Sequence, residues 1–169
     1  MSLLSLATRL VVMCALLWLA VIDVRVRRLP THLVLLIGAL FFIDVLIVRM
    51  PPTDVLMHVL VGFVVFVVCV ALFAAGMLGG GDAKLASIIF LWVGPGLSLL
   101  ALTFISVVGT LVALISLATR RMSHVQRSRI FRVLAMFSGA RGVPYGVALA
   151  LGGGAVIVLP ALLPLILSR

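Results

Sequence analysis

The chain has 169 residues, 65% of them hydrophobic and only 10% charged, against about 45–50% apolar and about 25% charged in ordinary soluble domains. That composition excludes a soluble globular domain and predicts an all-α polytopic membrane protein, a single integral-membrane domain over residues 1–169 with little outside the bilayer. The net charge of +9 does not point to nucleic acid, because most basic residues fall in two short segments between apolar runs, which is how topology is encoded in a bilayer.

Leu3 to Ile22 is long enough to cross a hydrocarbon core of about 30 Å. It has no basic stretch after Met1 and no small-x-small cleavage site, so it reads as a retained span rather than a signal peptide. Arg9, near its start, is expected to snorkel outward. The run ends at Asp23, followed by Arg25, Arg27, Arg28 and Leu29-Pro30-Thr31, where Pro30 disfavours helix at the residue before it. Leu33 to Val48 is a second span and Val55 to about Leu78 a third, with Thr53 or Asp54 as its expected N-cap. Gly79-Gly80-Gly81 then break the helix. Ala83 to Val93 covers only half a bilayer before Gly94-Pro95-Gly96, and either ends there as a half-helix or runs on through a kink. Leu97 to Ala118 is a full span. Residues 119–141 form a basic segment, read as an amphipathic helix on the inner face. A last span runs from about Val143 to Leu167, giving a bundle of about six transmembrane segments.

Placing Arg25 to Arg28 in the cytoplasm puts Lys84 and the 120–141 arginines there too, with Arg49 and Arg169 outside. Asp23 and Asp82 then meet at the inner membrane boundary, while Asp44 and Asp54 belong to the outer half. These four are the only acidic residues, and no glutamate is present. An acid inside a membrane segment is a functional hypothesis by default. Two carboxyls held close together share a proton, so one can activate water while the other protonates a carbonyl. Three glycines beside Asp82 would let an extended substrate approach the backbone; alternatively they merely end a helix and leave Asp82 as an N-cap. Asp44 has no evident partner. Lys84 is either a substrate or Asp82 contact or an inside-positive anchor, and Arg25 a topology determinant or a substrate contact. Cys14 and Cys69 read as apolar fillers, and His32, His58 and His124 as satisfied or solvated rings, without metal-ligand spacing. Gly146, Ala150 and Gly154 recur every four residues and read as close helix packing.

Gly79-x-Gly81-Asp82 resembles the GxGD motif of intramembrane-type aspartyl proteases. Together with Asp23-x-Arg25-x-Arg27-Arg28-Leu29-Pro30 and Arg141-Gly142-Val143-Pro144-Tyr145-Gly146, it is similar to the type IV prepilin peptidase family, in particular the short forms serving tight-adherence (Flp) pili. Thr31 stands where the family pattern has asparagine. The resemblance implies removal of the leader peptide from prepilins or pseudopilins at the cytoplasmic face of the bacterial inner membrane. It carries Asp23 and Asp82 over as the catalytic pair, with Gly79, Gly80, Gly81, Lys84, Arg25 and Pro30 as motif or substrate-binding positions. No metal, cofactor or methyltransferase activity is expected, since the paired CxxC segment of longer relatives is missing. A homo-oligomer is left open. The alternatives are a GxGD protease cutting within substrate transmembrane helices, and a small transporter or proton path.

Overall fold

The computed structural model describes residues 3–26, 29–122 and 145–167. Among these the chain is wholly helical: α1 (Leu3–Val26), α2 (Thr31–Val48), α3 (Pro52–Ala74), α4 (Gly80–Met122), and α5, which comprises Tyr145–Ala148, a π-helical turn at Leu149–Gly153 and Gly154–Leu167. Four of them, Leu3–Val26, Thr31–Val48, Pro52–Ala74 and Gly80–Leu117, are long and apolar enough to cross a membrane. Arg27, Arg28, Arg141 to Pro144 and, of the amphipathic segment expected over 119–141, everything beyond Met122, His124 included, lie outside the described residues.

The helix limits differ from the sequence expectation in ways that matter for the site. Helix α1 does not end at Ile22 but continues to Val26, so Asp23 and Arg25 sit on its last turn. Helix α3 starts at Pro52, not at a Thr53 or Asp54 cap: Pro51 is the N-cap residue with no side-chain cap bond, and the fixed φ of Pro52 suits the first helical position. It also stops earlier, at Ala74. The break falls at Ala75 to Gly79, with Gly76 at φ 72°, and Gly80 and Gly81 already belong to α4.

The fourth and fifth expected segments are the two limbs of α4, two helices joined across a break at Gly94. Gly94, at φ 65° and ψ −175°, interrupts α4 and is followed by Pro95. Only glycine adopts that conformation readily, and proline has no amide hydrogen with which to continue the ladder. The first limb (80–93) is about 21 Å long and cannot cross the hydrocarbon core alone. A straight helix would hold Ile89 and Ile105 about 24 Å apart. Yet a Cβ on Gly152 would meet Ile105, and one on the next residue, Gly153, would meet Ile89. The second limb (95–122) therefore folds back along the first, and the two adjacent glycines of the π-helical turn receive one limb each.

Leu16, Leu19, Val34, Ile37, Leu85, Ile89 and Val156 lie in the core these helices share. Large apolar side chains outside it, such as Phe63, Val67 and Leu114, remain exposed. Helix α3 carries the extreme case, having the highest hydropathy of the four long helices and the smallest buried share. That combination is costly in water and expected in lipid, where an apolar side chain need not be buried in protein.

Candidate active site

The last turn of α1, the start of α2, the start of α4 and the start of α5 converge at one end of the bundle. Asp23 is buried, at 6% exposure, and faces α5: a Cβ on Gly146 would lie 2.7 Å from its Oδ2 and 2.9 Å from its Cγ. Asp82 stands in the first turn of α4. Gly79 caps that turn, its carbonyl accepting the Ala83 amide at 3.0 Å. The carboxyl of Asp82 folds back over it, so a Cβ on Gly79 would lie 2.8 Å from Asp82 Oδ2. Asp23, against Gly146 of α5, and Asp82, which lines a cavity together with the adjacent Tyr145, lie at the same end of the bundle.

The other motif positions surround this pair. Leu29, just before Pro30, lies against Gly81, where an added Cβ would sit 3.1 Å from the Leu29 Cβ. Gly80 approaches Phe73 of α3. Lys84 is exposed and donates to Thr31 Oγ1 at 3.3 Å, linking the start of α4 to the start of α2. Thr31, the residue that departs from the family pattern, is thus a partner of Lys84. Arg25 is exposed on the final turn of α1. Beside Asp82, a cavity of about 340 Å³ opens between α3, both limbs of α4 and α5, lined by Cys69, Leu72, Ala86, Phe90, Leu102 and Tyr145 among others. Its walls are apolar except near the acid.

Asp44 is not part of this site. It is buried at the far end of α2, where its Oδ2 pairs with Arg9 Nη2 at 3.3 Å. Arg9 also donates from Nη1 to the Ile157 carbonyl at 2.9 Å. Arg9 therefore turns inward instead of snorkelling. The reason is electrostatic: in a medium of low dielectric constant an opposite charge nearby outweighs a distant interface. Asp54 is exposed at the start of α3.

Sequence reasoning read Gly146 as a packing residue and as part of the family-like Pro-Tyr-Gly string, and the structure adds its contact with Asp23. It missed Tyr145 as a wall of the cavity and Cys69 as a neighbour of Asp82; the Pro-Tyr-Gly string was the available signal for the first, and nothing local marks the second.

Residues 10–114, more than half of the chain and including both Asp23 and Asp82, match the model of the type IV leader peptidase family. Comparison with curated proteins and with solved structures gives no match. The chain thus belongs to the type IV leader peptidase family of aspartic prepilin peptidases, as a multi-pass membrane enzyme whose family implies prepilin substrates.

Proposed function

We propose that Asp23 and Asp82 are the catalytic dyad, and that the enzyme removes the leader peptide of Flp-type prepilins at the cytoplasmic face of the inner membrane. The observation that carries this reading is that Asp82 lines an apolar cavity together with Tyr145, while Asp23 lies against the next residue, Gly146, at the same end of the bundle. One carboxylate takes a proton from a water molecule, whose oxygen attacks the scissile carbonyl carbon. The other carboxyl, protonated, gives its proton to the carbonyl oxygen. The tetrahedral intermediate then collapses: one of its two hydroxyls returns a proton to the second carboxylate as the carbonyl re-forms, the C–N bond breaks and the leaving amine takes up the proton that water surrendered to the first. The reaction needs no covalent enzyme intermediate. Lys84, Arg25 and the glycines at 79–81 border the path of the chain being cut, and Pro30 shapes the α1–α2 connection that packs on Gly81.

Cleavage of a candidate Flp-type prepilin in membranes tests the reading, with Asp23→Asn and Asp82→Asn run beside Asp54→Asn. The first two are expected to lose a hundredfold or more, on the order of what a positioned acid or base contributes, while Asp54→Asn matches wild type. Processing by both Asp23→Asn and Asp82→Asn at wild-type rates would end the dyad reading. Mapping the cut separates leader removal at the membrane boundary from cleavage within a substrate's transmembrane helix.

A further inference from the structure

In an α-helix each carbonyl accepts the amide four residues ahead. For Leu91 that donor position is Pro95, which has no amide hydrogen. A buried carbonyl without a partner is costly, and more so in lipid than at a water-exposed bend. The Nδ1 of His58, on α3, lies 2.8 Å from the Leu91 oxygen. A carbonyl only accepts, so Nδ1 must carry the hydrogen. His58 also fills the space that a side chain at position 94 would need, since a Cβ on Gly94 would run into its ring.

The surroundings hold the imidazole in that pose. Its ring stacks on Phe41 of α2, with centroids 5.5 Å apart and planes at 24°. Phe41 in turn meets Trp92 edge to face at 5.7 Å, and the Trp92 indole donates to the Ile37 carbonyl at 2.9 Å. Elements α2, α3 and the end of the first limb of α4 thus share one cluster at the reversal, with Phe41 and Trp92 buried and His58 half-buried.

We propose that His58 is a positioning residue: its Nδ1–H satisfies the carbonyl that Pro95 deprives of a helical donor, and so holds the Gly94 reversal that sets the first limb of α4, and Asp82 at its start, against the rest of the site. The catalytic consequence rests on Asp82 acting in peptide cleavage; the structural one does not. His58→Leu leaves the Leu91 carbonyl without a donor and lets the first limb swing relative to the second. Asn at position 58 can present an amide N–H from nearly the place of Nδ1, so it is the conservative rescue.

Three readouts on the full chain in lipid nanodiscs test this. Nitrogen-15 NMR of the His58 ring is expected to show a protonated Nδ1 in wild type, and an Nδ1 without hydrogen overturns the proposal. Spin labels at Lys84 and Thr110, both exposed and on opposite limbs of α4, are introduced after Cys14 and Cys69 are replaced by serine. Their distance distribution is expected to broaden in His58→Leu and to stay narrow in His58→Asn. A distribution unchanged by His58→Leu overturns the positioning role. In prepilin cleavage, His58→Leu is expected to lower kcat about tenfold with KM within about twofold, and His58→Asn to recover most of it, as loss of one buried hydrogen bond implies. Equal kcat in wild type and His58→Leu overturns the catalytic consequence. Absence of cleavage by wild type itself would count against the proposed Flp-type substrate and leave the first two readouts to decide on His58.

Discussion

Gly146 is where α5 reaches the carboxyl of Asp23. A methyl group there would press not only on the carboxyl oxygen but on Cγ at 2.9 Å and Cβ at 3.2 Å. Rotating the carboxyl cannot clear a contact that includes its own Cβ, so α5 or the last turn of α1 has to move. Gly146→Ala is expected to lower cleavage by roughly a hundredfold, the order of loss that follows a misplacement of about 1 Å in a reacting group. Gly79→Ala makes an instructive contrast. Its Cβ meets only the far end of Asp82, Oδ2 at 2.8 Å with Cγ already at 3.7 Å, so the side chain can rotate away and the loss should be several times smaller. Rates per folded molecule of both variants in the prepilin assay check the order, and equal activity of Gly146→Ala and wild type would remove the proposed contact from the catalytic geometry. The two acids themselves were legible in the sequence because a charge at the edge of an apolar run is rare enough to be informative. Their neighbours Gly146, Cys69 and Tyr145 were not legible as such, because contact across helices depends on rotation about each helix axis. In α2 and α3, apolar on nearly every side, no amphipathic stripe records that rotation.

At the level of the helices, the same blindness concealed the pairing of Arg9 with Asp44, one residue near the start of α1 and the other near the end of α2. In sequence, Arg9 looked like a charge that would snorkel to the interface and Asp44 like an acid with no evident partner. Joined, they lock α1 to α2, and the Arg9 bond to the Ile157 carbonyl adds α5. Removing one partner leaves the other charge buried, whereas removing both leaves an apolar contact. Asp44→Ala is expected to cost about 3 kcal/mol of unfolding free energy, measured by unfolding in mixed micelles. The double variant Arg9→Met with Asp44→Leu should recover more than half of that. Cleavage per folded molecule should stay within about twofold of wild type, because the pair lies at the end of the bundle opposite Asp23. A double variant as unstable as the single would show that the pair is worth more than well-packed apolar groups. The bend in α4 was half legible. Gly94-Pro95-Gly96 announced a break, and the shortness of 83–93 announced that it could not span alone. That the second limb returns along the first, so that Gly152 and Gly153 touch both, depends on packing against α5 that no local pattern encodes.

Across the whole molecule, the two ends differ in charge as well as in chemistry. Asp23, Asp82, Arg25, Lys84 and Thr31 gather at one end, and Arg27 and Arg28 follow Asp23 closely in the sequence. At the other end, Arg49 closes α2 with φ 55°, and Arg9 is neutralised by Asp44. Flanking lysines and arginines stay on the cytoplasmic side when a short multi-pass chain inserts, which supports the proposal that the dyad faces the cytoplasm, where an uncleaved leader would be met. Thiol labelling tests this without disturbing the charges that set it. In a chain with Cys14 and Cys69 replaced by serine, Val26→Cys reports the dyad end and Thr53→Cys the opposite end; both positions are exposed. A membrane-impermeant maleimide applied to intact spheroplasts is expected to label Thr53→Cys and to spare Val26→Cys, with the pattern reversed in inverted vesicles. Labelling of Val26→Cys from outside in intact spheroplasts would place Asp23 and Asp82 on the wrong face for leader removal before export. The cleavage chemistry could then survive only for a substrate presented from the other side of the membrane.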